Sequence, residues 1–394
     1  MQQLFDELRL EKRINLKKIL NLIRDMDGIS RIEISRMLGI SPSSVSQSVN
    51  QLIQLGMVTE TGVRESDRGR KPTLLQFNPD VKYILGIDME KEEIRVALLN
   101  LDADIKQWFV MPTFSEDEDP LLALEKVFRF VGAFLDDLGG QGISQADILS
   151  IAISVNGPVN YNTGIVYEAP HISWPELNLK EAFEQRFSWP VIVENNVNCI
   201  VLAEKRKGVA IEAQDIICLT IYEGHGAGAS LILNGELYRG YLGEAGEIGW
   251  LYLKEQLPDE AYQMTGEFER RIARMTADLS SISSSSDDEV KRRVVAEIGQ
   301  FIGINMANLI NMFNPEMVIL TGMPEAISEL VILEIISVVK LLTPQGRSEC
   351  VQFKIGALSE KEGALIGTGI LASDLFFSFS DDVMLRSPVK EATS

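Results

Sequence analysis
The chain has 394 residues, of which 45% are hydrophobic, and a net charge of −20. That length exceeds one ordinary domain and predicts two or three folding units. No apolar run approaches the ~20 residues that span a bilayer, and the charged start MQQLFDELRLEKR lacks a signal-peptide core. The three cysteines, Cys199, Cys218 and Cys350, form no CxxC pair, and the only histidines are His171 and His225. Free thiols in a cytoplasmic protein are the plain expectation, and a zinc centre or a His-based triad has little to draw on. The charge is uneven. Residues 1–82 hold 13 Lys/Arg against 10 Asp/Glu, whereas the remainder holds 24 against 47. The acidic body repels polyanions, so any nucleic-acid contact falls to the first segment.

In chain order, NLKKILNLIRDM (15–26) predicts a helix with Leu16, Ile19, Leu20, Ile23 and Met26 on one face. A second helix opens at Ser30-x-x-Glu33, a capping box, and stops at Gly39. The third starts with Ser41 as N-cap and Pro42 at its first position. Its Val45, Val49, Leu52 and Ile53 face inward, which leaves Ser43, Ser44, Ser46, Gln47, Ser48 and Asn50 outside. Short hydroxyls and amides suit base edges and phosphates, and Ser43, Ser44, Ser46 and Gln47 are the candidate readers. After Gly56 an apolar run, a polar tip and an apolar return predict a hairpin wing. Its tip DRGRKP carries Arg68, Arg70 and Lys71, which suit a narrow minor groove. A protein-binding three-helix module is the alternative. Helix, turn, helix and basic wing together resemble the winged helix-turn-helix of bacterial repressors over residues 12–78.

Beyond residue 83, strands alternate with helices, which predicts an α/β body. YILGIDMEKEEIRVALLNLDADI reads as two strands and a tight turn, and PLLALEKVFRFVGAFLDDL as an amphipathic helix. DILSIAISVNGPV and PVIVENN are buried strands, the latter followed by a helix. Next comes a strand pair joined by a glycine-rich turn (DIICLTIYEGHGAGASLIL). LSSISSSSDD (279–288) reads as a polar surface loop, and the tail after about residue 380 as disordered.

Four stretches carry a resemblance: NGPV (156–159), PVIVENNVNCIVLAE, GHGAGASLILNGELYRGYLGEAGEIGW (224–250) and NMFNPEMVILTG. They are similar to the signature segments of the ROK group (repressors, open reading frames and sugar kinases), over nearly the whole chain. The resemblance implies a winged helix-turn-helix in residues 1–80. It implies a two-lobed actin-like (ribonuclease H-like) sugar-kinase fold in 81–394. One lobe would comprise about 81–200 plus a C-terminal helix, the other about 201–362.

The kinase machinery that the resemblance implies departs from the family pattern here. The first phosphate loop, Asp-x-Gly-Gly-Thr in the family, is DMEKE (88–92). Asp88 remains, but the side chains of Glu90, Lys91 and Glu92 block close backbone approach to phosphate, and the two added carboxylates repel it. The second loop keeps Gly224, Gly226 and Gly228 with His225 in place of threonine, and reads as a structural hairpin. The aspartate that would accept the sugar hydroxyl's proton is Asn196, and an amide is no general base. At the zinc histidine stands Trp250, and no cysteine follows it before Cys350. No metal is therefore expected, and local packing by Trp250, Tyr252, Tyr262 and Phe268 would replace it. Gly157, Asn195, Glu247 and Glu269 match sugar-contact positions, with Asn196 and Trp250 as added candidates. Asn195 could instead only cap the next helix, Glu247 could pair with a surface cation, and Trp250 could be core. The implied function is a sugar-responsive repressor without catalytic residues or cofactor, binding double-stranded operator DNA as a homodimer or higher oligomer, with no membrane contact. A DNA-binding sugar kinase, or a regulator worked by a protein partner, is the alternative.

Overall fold
The computed structural model describes residues 10–26, 28–63, 73–90, 93–112, 119–167, 176–251, 266–284, 287–344 and 346–378. The first helix, Leu10–Asp25, buries Leu16, Ile19, Leu20 and Ile23. Met26 lies one residue beyond its end and is 41% exposed, so the helical stripe stops at Ile23. The second helix, Arg31–Leu38, has the reciprocal Ser30–Glu33 capping box and ends at Gly39 in the left-handed region. The third, Pro42–Gln54, starts at Ser41, whose side chain accepts from Ser44 N. Strand β1 (Ile29–Ser30) pairs with β3 (Thr73–Phe77), which pairs antiparallel with β2 (Val58–Val63). This is the hairpin wing. The tip residues Arg68, Arg70 and Lys71 lie outside the described residues.

The body contains two five-stranded sheets. The first runs β11 (Val191–Asn195), β7 (Ile148–Val155), β4 (Tyr83–Met89), β5 (Glu93–Asn100), β6 (Ile105–Pro112). Strands β4, β7 and β11 are parallel, with Met89 and Asn195 both level with Val155. Three two-residue strands, β8 (Val159–Asn160), β9 (Ile165–Val166) and β10 (Leu177–Asn178), form a small sheet after Gly157. The second large sheet runs β14 (Glu236–Leu237), β13 (Gly226–Leu233), β12 (Ile216–Tyr222), β15 (Met317–Thr321), β16 (Gln352–Ile355). Its strands β12, β15 and β16 are parallel, so both sheets offer the carboxyl ends of parallel strands, where ligands bind in α/β folds. Residues 279–284, expected in a loop, form a short helix because Leu279 is fully buried and anchors it.

The C-terminal helix, Glu360–Phe377, packs along the helix Asn196–Lys207 and across β4 and β7. Its far end enters the winged-helix core. Phe377 meets Phe77 edge-on at 5.6 Å between ring centroids, and the Arg24 guanidinium lies 4.2 Å from the Phe377 ring. Lys17 Nζ donates to Ser378 O at 3.1 Å and Asn21 Nδ2 to Phe377 O at 3.3 Å. Leu371, Ala372 and Phe377 thus share one apolar cluster with the DNA-binding segment. Among the described residues no helix is long and apolar enough to cross a membrane.

Candidate functional site: a two-sided cleft and a winged helix
The turn VENNVN sits at the end of β11, between the two large sheets. Its six residues are held by opposing demands. Glu194 is buried and accepts from Asn195 N at 3.0 Å and Asn198 Nδ2 at 2.9 Å through Oε1. Its Oε2 takes Arg239 Nε at 2.6 Å, and that guanidinium lies 4.0 Å from the ring centre of Tyr161. A buried carboxylate needs such partners to stay charged. Asn195 caps the next helix through Val197 N at 2.9 Å and also donates to Gly157 O at 2.8 Å. The cap and the link to Gly157 are made by the same amide. Gly157 stands at φ +132°, which favours glycine there.

Asn196 is almost fully buried. Its Nδ2 donates to Glu90 Oε1 at 2.6 Å and to Tyr222 OH at 2.8 Å, while Oδ1 accepts from Val197 N at 2.8 Å. Glu90 directly follows β4 of one sheet and Tyr222 ends β12 of the other, so Asn196 ties the two lobes together. Burial and the neighbouring Asp88 push the Glu90 carboxyl up to about 8, which leaves it largely neutral at pH 7. Burial also raises Asp88, to about 6, against the opposing pull of Arg95, to which it is directly hydrogen-bonded. Arg95 Nε in turn donates to Glu93 at 2.8 Å, and Lys361 Nζ reaches the same carboxylate at 2.7 Å. Glu90, Arg95 and Lys361 line a cleft of about 340 Å³ with Tyr222, His225, Gly322 and Glu360. This is the side where the sequence resemblance places nucleotide phosphates. Glu90 occupies it with a side chain where the family has glycine.

The opposite side gathers the carboxylates. Glu247 precedes the 3-10 turn Ile248–Trp250. Its side chain is exposed, yet surrounding protein and the carboxylates Glu269 and Glu244 raise it to about 7. Among the described residues, the charged groups acting on it are the acids Glu269 and Glu244. Glu269, on the helix Glu267–Thr276, is half-buried and raised by desolvation. It lies against the glycine loop: a Cβ on Gly226 would fall 2.5 Å from Glu269 Cγ. The loop's glycine therefore serves the approach of a side chain. Around it, His225 N closes a tight turn onto Tyr222 O at 2.9 Å, and β12 and β13 continue as a hairpin.

Trp250 is 42% exposed, so it is not the core residue that its apolar character suggested. Phe268 is fully buried, and Tyr252 and Tyr262 lie outside the described residues. Residues 226–300 contain neither cysteine nor histidine, so the donor set there does not fit a structural zinc. The contributions of Tyr222, Glu194 and Arg239 to the site, and the bond that Glu90 makes to Asn196, escaped sequence reading. The contact from Asn196 to Glu90 spans 106 positions, and no local pattern announces it.

On the winged helix, Ser43, Ser44 and Gln47 are exposed and Ser46 is half-buried. Ser43 and Ser44 hydroxyls lie 3.0 and 2.8 Å from Ser41 Oγ, which clusters three hydroxyls at the start of the helix. Ser48, expected outside, is buried at 5%, because it lies three positions after Val45 and four before Leu52 on the buried face of the helix. Asn50 accepts from Arg31 at 3.2 Å, and Arg31 also pairs with Glu60 at 2.7 Å.

Comparison with known proteins agrees with this geometry. The model of the ROK family matches residues 84–374, and that of a winged helix-turn-helix DNA-binding domain matches residues 12–59. A xylose repressor of Caldicellulosiruptor bescii is 31% identical over 354 residues, 82% of this chain and 86% of that protein. The crystal structure of a ROK family transcriptional regulator, a homologue of the E. coli MLC protein, superposes with a TM-score of 0.75 at 22% identity, covering 93% of this chain and 98% of that one. A ROK family glucokinase from Streptomyces griseus, solved with glucose and AMPPNP, has a TM-score of 0.58 at 23% identity over 74% of this chain and 99% of its own. With a DNA-binding domain at one end and the two-lobed body filling the rest, this chain belongs to the ROK family, in the branch that carries a winged helix-turn-helix.

Proposed function
We propose that this protein is a sugar-responsive transcriptional repressor whose cleft binds its sugar without phosphorylating it. The observation that carries the reading is the bridge Glu90–Asn196–Tyr222. Transfer of phosphate to a hydroxyl needs a base at the hydroxyl and open backbone at the phosphates. Asn196 cannot take a proton, and the Glu90 side chain stands where phosphate would lie. Gly157, Asn195, Glu247 and Glu269 form the polar wall for the sugar, with Asn196 and Trp250 beside it. Carboxylates and amides there can fork onto neighbouring hydroxyls.

The same bridge suggests the switch. Both Asn196 amide hydrogens are spent on the two lobes, so a sugar hydroxyl that recruits this amide must displace one acceptor. Losing either one frees the lobes to change angle. The C-terminal helix starts at Glu360–Lys361 beside this bridge and ends inside the winged-helix core, so it carries the change to the DNA-binding end. Two copies would read two half-sites of a near-palindromic operator through Ser43, Ser44, Ser46 and Gln47, with Arg68, Arg70 and Lys71 on phosphates and the minor groove. The protein then works in the cytoplasm, with residues 1–80 and 81–394 as its two functional units. A coupling of about 1–3 kcal/mol is usual for such regulators.

The test is a melting-temperature panel of pentoses, hexoses and N-acetylated sugars, followed by operator titration with each sugar that binds. The similarity to a xylose repressor makes xylose the first sugar to try. A sugar that raises the melting temperature and weakens operator binding supports the reading. A panel with no shift, or a shift with unchanged operator affinity, sinks it.

A further inference from the structure
The chain passes between the two large sheets twice. The first passage leaves the helix Asn196–Lys207 and runs through residues 208–215 into β12. The second runs from β16 through residues 356–359 into the C-terminal helix. One side chain holds both. Glu204 is fully buried and accepts from Val209 N at 3.0 Å through Oε2 and from Leu358 N at 2.9 Å through Oε1. Its backbone carbonyl accepts from Gly208 N and Ala210 N, both at 3.1 Å. Each passage brings a glycine to this carboxylate. A Cβ on Gly208 would collide with Glu204 Oε2, and one on Gly356 would fall 2.8 Å from Oε1. A buried carboxylate needs donors, and here they come from stretches of chain that are 154 positions apart at Glu204 and Leu358.

The packing around Glu204 permits movement. A Cβ on Gly367 of the C-terminal helix would collide with Cys199 O, and one on Gly363 would meet Ile200 at 3.5 Å. At these points the two helices touch without interlocked side chains, so small sliding steps between them are open. Ile200 lies one turn before Glu204 on the same helix face. Carboxylate oxygens accept over a broad range of directions. The two passages can therefore turn about Glu204, but they cannot separate without breaking a buried hydrogen bond. Leu358 directly precedes Ser359, the N-cap of the C-terminal helix, whose far end lies in the winged-helix core. That helix has 18 residues. At about 27 Å of length, a tilt of about 5° at its start moves its far end by about 2 Å.

We propose that Glu204 is the pivot of the two-lobed body, a positioning residue that pins both passages to one point. Rotation of the lobes at the sugar cleft is thereby delivered to the winged helix as a swing of the C-terminal helix. The proposal rests on the sugar-responsive reading above and names the residue through which the response passes.

Hydrogen exchange and operator titration on the full chain test it, with the sugar that the melting panel identifies. Glu204→Gln keeps the shape but puts an amide donor where one carboxylate oxygen accepted, so one passage loses its bond. Exchange at the Val209 or Leu358 amide should quicken by about tenfold or more. Sugar affinity should stay as in the wild type. The ratio of operator affinities without and with sugar, about 5–150-fold in such regulators, should fall by about fivefold or more. Gly356→Ala presses a methyl group on the same carboxylate and on Thr321 with Glu204 intact. It should lower the ratio likewise, and it carries the test if Glu204→Gln does not fold. Ile310→Val trims the core of the second lobe and should lower the melting temperature with the ratio unchanged. A Glu204→Gln protein that keeps the wild-type ratio, or wild-type exchange at both amides, overturns the proposal and spares the sensor reading. An equal fall of the ratio in Ile310→Val also overturns it, since general loosening would then suffice. If no sugar alters operator binding by the wild type, both readings fall together.

Discussion
The two sides of the cleft have been treated differently by substitution. On the phosphate side, Glu90 and Asn196 stand where the family pattern has glycine and aspartate, and the two side chains now bond each other. On the side proposed for the sugar, Gly157, Asn195, Glu247 and Glu269 are the candidate contacts, and a buried carboxylate, Glu194, holds Asn195 and Asn198 from behind. The first side has exchanged open backbone for a side-chain contact that joins the lobes. The second keeps an open, polar wall with uncomfortable charges. A binding protein needs the second arrangement and gains from the first, because the bridge stores a defined resting state.

Three experiments can break or sharpen this contrast. The largest effect should come from Glu194→Ala. It strands Arg239 and two amide donors in a buried setting, and removing one partner of a buried pair costs about 3–5 kcal/mol. Urea denaturation measures it, and a loss below about 1 kcal/mol would mean that Glu194 does not organise the sugar side. The next effect is on pH dependence. The Glu90 carboxyl is raised from 4.5 to about 8, so the folded protein holds a proton that the unfolded chain releases. Stability from this group is full below pH 4.5 and declines as pH rises towards 8. Glu90→Gln keeps an acceptor for Asn196 and removes the titration. Its melting temperature should match the wild type at pH 4.5 and exceed it increasingly up to pH 8. A constant gap across that range contradicts the assignment. The smallest effect is none at all: Asn196→Asp should give no sugar-dependent ATP turnover in a coupled assay, because Glu90 still fills the phosphate side. Turnover in that single variant would show that the missing base was the only barrier.

Local chemistry made much of the molecule legible. Ser30-x-x-Glu33, Pro42 and Gly39 mark helix boundaries through local chemistry, and the structure places them as expected. Where the reading failed, a longer-range effect had decided. Met26 continues the apolar spacing, but the chain leaves the helix before it. Leu279 draws a serine-rich stretch into a helix by being buried. Trp250 looks like core by composition and is held outward by a 3-10 turn. Within the cleft, the loss of the base at 196 could be read from one residue. Its consequence could not, since Glu90 and Tyr222 reach it from distant strands.

The junction at Phe377 also has a kinetic side. The winged helix emerges before the body during synthesis, yet its apolar cluster is completed by residues far along the chain, with Lys17 and Ser378 separated by 361 positions. Contacts of such separation form late. The winged helix is thus made before the helix that completes its core, and it stays unfinished until that C-terminal helix arrives.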